Sequence, residues 1–363
     1  MLSNESEKMK NKKYYRYFWS TICCVVLFGL IFVLLSYVMR PVTNSRKNLC
    51  GFYAEKNNSL DMVYIGGSAC YAFWEPLAAW NEYGFTSFNL ATDAMQPQSI
   101  KYAIREALQS QSPQVFVIDL RPFQYGDLLN TEENVINMER VAPFRNVADN
   151  MKYSKNRVQL IREGAPAQEP QWTYLFDIAK YHGSLINLIN PENWKYIFNS
   201  KKLYSKGFVY YEDAAPIIFE DTRDVTVETP LEEEINTLFI DLLEYCRQED
   251  LEVLFIVHAY NNSVADQQKY NYMKRIIEEY GLDFLNVNDF FYEIGFDTLS
   301  DFRDTNHVNL LGADKYTSFL ASYLKEHFVF NDKRQDTQYV GWNRDYEKWM
   351  EETEAVRNKL KNR

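Results

Sequence analysis

The chain has no CxxC pair, no HExxH or comparable histidine spacing, and no phosphate loop of the GxxxxGKS/T or GxGxxG kind. Those absences leave no ligand pattern for a metal and no cradle for a nucleotide, so neither metal nor cofactor is expected. Cysteine is scarce. Of five, Cys23 and Cys24 fall in a long apolar run, and Cys50, Cys70 and Cys246 can form at most one bridge. A disulfide framework is excluded, and burial as small apolar residues is the expected fate. Positive charge is also short: the formal net charge of −11 offers nothing to neutralise phosphates and argues against a nucleic-acid partner. Aromatic side chains, by contrast, are plentiful, with 27 Tyr and 24 Phe. They supply core and interface area, and a carbohydrate-stacking surface is a further use for them.

Residues 17–39, "YFWSTICCVVLFGLIFVLLSYVM", carry no charge between Arg16 and Arg40. As a helix this run is roughly 34 Å long, enough to cross a bilayer. It is too long for a typical signal peptide, and no small-x-small cleavage pattern follows it. Tyr17, Trp19 and Tyr37 sit near its ends, where amphipathic rings favour the membrane interface. Lys8, Lys10, Lys12, Lys13 and Arg16 precede the run, against Arg40, Arg46 and Lys47 after it. This asymmetry predicts a single-pass protein of the cell membrane, with residues 1–16 cytoplasmic and everything beyond residue 40 outside.

Beyond a polar stretch at 40–60, read as a tether, strand and helix patterns alternate. "MVYI" (62–65), "SFNLA" (87–91), "VFVIDL" (115–120), "VLFIVHAY" (253–260) and "DFLNV" (283–287) are short apolar runs separated by helical periodicity. Such runs suggest parallel strands covered on both faces, hence an α/β, three-layer parallel-sheet domain over 61–330. One helix is expected to start at Thr229 as N-cap, with Pro230 in its first turn and Glu232 completing a capping box. Another should run from Ser263 to Gly281, and a last core helix should carry Tyr316, Phe319, Leu320, Tyr323 and Leu324 on one stripe. The interval 124–228 is far longer than an ordinary connection and reads as an inserted helical cap. Residues 331–363 are highly charged and read as a peripheral tail.

Ligands bind outside the carboxyl ends of strands in an open parallel sheet. Ser68, in "IGGSAC", stands just past the first strand, where a helix N-terminus favours a developing oxyanion. Far along the chain, "DFRDTNHVNLLGADKY" places Asp304 and His307 three apart, leading into the last core helix. A serine hydroxyl becomes a nucleophile when an imidazole takes its proton, and a carboxylate orients that imidazole. Ser68, Asp304 and His307 are therefore the candidate catalytic residues. The alternative is a turn serine with an aspartate that caps a helix near a solvated histidine.

This placement resembles the SGNH, or GDSL-type, hydrolase superfamily over roughly residues 60–328. Ser68 matches its first block, with Gly67 in place of the usual aspartate, and Asp304 and His307 match the last. An α/β-hydrolase would instead require G-x-S-x-G, where Cys70 occupies the second glycine position. "GSACYAFWEPLAAWNEYGFTSFNLA" and "YLFDIAKYHGSL" are similar to the membrane-anchored branch of Gram-positive bacteria that includes the accessory protein of teichoic-acid D-alanylation. The middle blocks depart from the pattern. Ala94 stands where the second-block glycine falls, and Arg121, Pro122 and Phe123 occupy the turn of the third-block asparagine.

The resemblance implies a flavodoxin-like SGNH fold and a serine esterase or O-acyltransferase. Its substrate would be an acetyl or D-alanyl ester on surface polysaccharide or teichoic acid, and its partner a membrane-bound O-acyltransferase. The oxyanion donors would be the Ser68 and Ala94 amides, with Arg121 as a third. His258, ending the fourth strand, is a candidate substrate contact, and His182 in the insertion could line the cleft. Asp119 and Asp93, near strand ends, are read as local structure. The rival reading is a catalytically inactive surface module that binds glycan or the acyltransferase partner.

Overall fold

A computed structural model of the protein describes residues 2–124, 143–167, 169–197 and 200–362. The chain divides into two compact units, Met1–Val42 with Trp172–Phe198, and Thr43–Gln171 with Asn199–Arg363. The first is built on one helix, Leu2–Met39, whose apolar part has the length and composition to cross a membrane. Short helices at Trp172–Leu175, Ile178–Tyr181, Ile186–Ile189 and Pro191–Trp194 belong with it.

The second unit is α/β. Its five parallel strands are β1 (Met62–Gly66), β2 (Ser87–Ala91), β3 (Val115–Asp119), β4 (Val253–Val257) and β5 (Asp283–Asn286). They lie in the order β2-β1-β3-β4-β5. All five coincide with the apolar runs of the sequence. β1 to β4 are buried at every position, because strands covered on both faces leave no polar side. The chain steps one way from β1 to β2 and the other way from β2 onward. Right-handed crossovers therefore put these connections on opposite faces, and the switch point falls between β1 and β3.

On one face, the helices Ser68–Phe73 and Pro76–Tyr83 pack with Leu310–His327. On the other, Pro97–Ala107 packs with Lys155–Gly164 and Glu233–Gln248. The Val264–Glu279 helix begins as expected, with a reciprocal Ser263–Asp266 capping box, and stops before Gly281 at φ +70°. The neighbouring expectation fails: Glu233–Gln248 starts four residues after Thr229, whose hydroxyl instead donates to Gln268.

Three larger expectations are corrected. The supposed tether contains a helix, Asn44–Phe52, that is buried over most of its length. Its polar residues are matched rather than solvated. Thr43 caps it, Asn48 Nδ2 donates to the carbonyls of Ala91 and Gly207 at 3.2 and 3.1 Å, and Ser45 donates to Asp93 at 2.7 Å. The supposed cap at 124–228 is not one body. Residues 125–142 lie outside the described residues, Pro143–Ala148 and Lys155–Gly164 pack on the second unit's core, and Trp172–Phe198 belongs to the first unit.

The charged tail is also part of the core. Its helix, Val340–Lys361, buries Trp342 and Trp349. Trp342 packs against Trp80 at 5.4 Å, Trp349 takes Phe208 edge-on at 5.1 Å, and Arg357 pairs with Asp314 and Glu75. Since Trp349 is only 1% exposed, Trp349→Ala is expected to cost about 3–5 kcal/mol. Denaturant or thermal unfolding of the full chain measures this, and a loss below about 1 kcal/mol would return the helix to the periphery.

Candidate active site

Ser68 opens the helix directly beyond β1. Of the two glycines before it, one is sterically required. A Cβ on Gly66 would stand 2.4 Å from both Asp119 Cβ and Cys70 Sγ, closer than atoms pack. Gly67, at φ −79° and ψ −165°, has extended backbone open to any residue.

Asp304 and His307 come from a hairpin of β6 (Phe302–Asp304) and β7 (His307–Val308), in which they face each other across the turn. Asp304 accepts the Asn306 amide at 2.8 Å, an Asx turn that closes the hairpin. The fold brings this hairpin to the Ser68 turn. Ser68 Oγ lies 2.8 Å from His307 Nε2, and His307 Nδ1 lies 2.9 and 3.1 Å from the two Asp304 oxygens. A carboxylate accepts only, so the proton is assigned to Nδ1. Nε2 is then free to accept from the serine hydroxyl.

Burial pushes the His307 imidazole below its ordinary value, with Arg121 and Arg303 acting the same way and Asp304 opposing. For Asp304, burial acts upward, but the Asn306 amide, His307 and Arg303 together hold its carboxyl below its ordinary value. At neutral pH the site therefore pairs a neutral imidazole with an ionised carboxylate, the forms a general base and its orienting group require.

Several groups hold the hairpin. Arg121 Nη1 donates to the Asn306 carbonyl at 3.3 Å, and Nη2 donates to Asn306 Oδ1. Its guanidinium lies 4.1 Å from the centre of the Tyr260 ring. The structure thus makes Arg121 a brace for the loop between Asp304 and His307. The oxyanion role expected of Arg121 is a separate matter, since these two bonds use two of its five N–H groups. Tyr211 meets the His307 ring edge-on at 5.6 Å, with Arg303 over its own ring at 4.0 Å. Tyr211 lies in an irregular stretch without periodicity, so nothing in the sequence marked it. Asn306 sits inside the D-x-x-H and was legible as a turn former.

Ala94 lies in the loop after β2, at φ +48°. The Thr92 amide donates to the Gly66 carbonyl at 3.2 Å, which brings this loop beside the end of β1. Asp93 anchors it, accepting from Ser45 and from Tyr71 and receiving Asn146 Nδ2 on its carbonyl at 2.7 Å. Asp93 thus connects the loop to three helices, Asn44–Phe52, Ser68–Phe73 and Pro143–Ala148, and is more than local structure.

His258 does not contact substrate. It is fully buried, stacked against Tyr64 and Tyr316, with Nε2 2.8 Å from the Tyr64 hydroxyl and Nδ1 3.2 Å from Asp119. Position at a strand end did not decide its direction: its ring lies in the core. Burial acts to raise the Asp119 carboxyl, but His258 and the Arg121 amide hold it below its ordinary value. Cys70, Asp119 and His258 bring potential metal-ligand atoms within 4.8 Å of one another. Burial and Asp119 push the Cys70 thiol up, so it stays protonated, the form that does not ligate a metal. His182 belongs to the first unit, where it is exposed with Nδ1 2.9 Å from the Ala179 carbonyl.

Because His307 must be neutral to accept the proton, reaction of Ser68 with a serine-directed phosphonate is expected to gain rate as pH rises. The midpoint should fall below the ordinary imidazole value of about 6.5. Labelling rates measured across pH test this, and a midpoint above that value contradicts the buried environment. Among known proteins, no family model matches this chain and no curated protein matches it.

Proposed function

We propose that the chain is a membrane-anchored serine esterase or O-acyltransferase of the SGNH type, with its N-terminus in the cytoplasm and its site outside. The observation that carries this reading is the 2.8 Å approach of Ser68 Oγ to an imidazole already oriented by Asp304. Ser68 attacks the acyl carbonyl while His307 Nε2 takes the hydroxyl proton. The tetrahedral oxyanion is met by the Ser68 and Ala94 amides. As the ester C–O bond breaks, His307 returns the proton to the leaving alcohol, and an acyl-Ser68 remains. Water or a sugar hydroxyl, deprotonated by His307, then takes the acyl group.

The resemblance of the sequence motifs supports an acetyl or D-alanyl ester on surface polysaccharide or teichoic acid as substrate. It also supports a membrane-bound O-acyltransferase as partner. Where the SGNH pattern has an asparagine donor this chain has Arg121, which bonds Asn306, and without that asparagine the oxyanion is left with the two amides. A missing donor of this kind costs about 3 kcal/mol in related chemistry, which favours slow hydrolysis or transfer to a positioned acceptor. The same observation favours a second reading, a non-catalytic surface module that binds glycan or the acyltransferase partner.

A fluorophosphonate probe separates the two. Labelling of the full chain that disappears in Ser68→Ala is expected, whereas folded protein that takes no label supports the binding module. On p-nitrophenyl acetate, His307→Ala and Asp304→Asn should each lower the rate by about a hundredfold or more. Equal rates for wild type and His307→Ala would remove the assigned base.

A further inference from the structure

The first unit carries an apolar surface that the proposed chemistry does not use. In Trp172–Phe198 the side chains of Trp172, Phe176, Leu185, Ile186, Ile189 and Trp194 are exposed, Ile189 at 76%. Single exposed apolar residues are ordinary, but six on one short segment call for a partner surface. This segment packs on the last part of the long helix. Phe176 meets Phe32 at 5.9 Å, and the chain passes from exposed over residues 12–31 to buried at Val38, Met39 and Arg40. Phe32 lies seven positions before Met39, hence roughly 10 Å inside the outer end of the apolar run.

Polar groups at this helix end are satisfied from within the same unit. Asn187 Nδ2 donates to the Met39 carbonyl at 2.8 Å, and Asn193 Nδ2 donates to the carbonyls of Val38 and Arg40 at 2.9 and 2.8 Å. The Arg40 guanidinium pairs with Asp177, both buried, and lies 4.6 Å from the centre of the Tyr37 ring. The last carbonyls of a helix have no partner within it and are met by side chains or by solvent. Here side chains take the place of solvent, as they must where water is scarce.

We propose that Trp172–Phe198 is a collar seated in the interfacial layer of the lipid bilayer, its exposed apolar side chains at the boundary of headgroups and acyl chains. The proposal rests on residues 17–39 being a membrane span. Interfacial helices sink about 5–10 Å, which matches the level of Phe176 beside Phe32. Indole rings such as those of Trp172 and Trp194 favour this depth. The protein is thereby held at the surface by a span and by a monotopic ring around the span's outer end.

Spin labels on the full chain in phosphatidylcholine–phosphatidylglycerol liposomes test this. With Cys23→Ser and Cys24→Ser, the remaining cysteines are buried, and single labels go to Leu27→Cys, Ile189→Cys and Ile218→Cys, all exposed positions. Oxygen, which partitions into lipid, should relax the labels at 27 and 189 several-fold more than a water-soluble nickel chelate does, with the reverse at 218. If 189 behaves like 218 while 27 stays lipid-like, the collar is wrong and the span stands. If 27 is also water-like, the span reading itself falls. A label at 189 shielded from both reagents means that protein covers the surface, which overturns the lipid proposal.

Discussion

One buried carboxylate organises the working end of the sheet. Asp119 ends β3 with no exposure to solvent, where an unpaired carboxylate would cost several kcal/mol. Groups from three strand ends meet it: the Arg121 amide donates at 3.0 Å, the Gly67 amide beyond β1 at 3.5 Å, and His258 Nδ1 beyond β4 lies 3.2 Å away. Its approach is close enough that Gly66 has room for no side chain. Through His258 the cluster continues to Tyr64 and Tyr316, on β1 and on the helix that follows the hairpin. The turn that presents Ser68 and the helix that follows His307 are thus fixed against one polar core.

That shared reference makes a two-residue hairpin turn sufficient to set an imidazole between a carboxylate and the Ser68 hydroxyl. The Asx turn sets Asp304 against His307, and Arg121, itself against the Tyr260 ring, and Tyr211 hold the hairpin from outside. Arg121 acts in two ways. It fixes Asn306, and its charge, with that of Arg303, disfavours a second positive charge on His307. Arg121 thereby bears on both the geometry and the protonation state of His307.

The misread segments share a physical cause. Residues 40–60 and 331–363 look solvated because they are polar or charged, and composition reports what a residue is, not what it meets. Asn48, Ser45 and Arg357 are accommodated because carbonyls and carboxylates from distant segments receive them. His258 is the converse case: a residue type associated with sites is spent on the core because Tyr64, Tyr316 and Asp119 surround it. The interval 124–228 looked like one insertion because it is far longer than an ordinary connection. Its parts are divided between two units by packing partners that no local pattern reveals.

What the sequence by itself determined was local. Apolar runs placed all five strands, caps and glycines placed the Val264–Glu279 helix, and an uncharged run marked the long N-terminal helix. Side-chain chemistry also nominated Ser68, Asp304 and His307. These are properties of neighbours within a few turns of chain, where periodicity and backbone preference act directly. The tertiary structure alone decided that a hydroxyl and an imidazole 239 positions apart meet at 2.8 Å, that Arg121 turns to Asn306, and that His258 faces inward. Such choices depend on which surfaces pack together, and sequence separation carries no information about that.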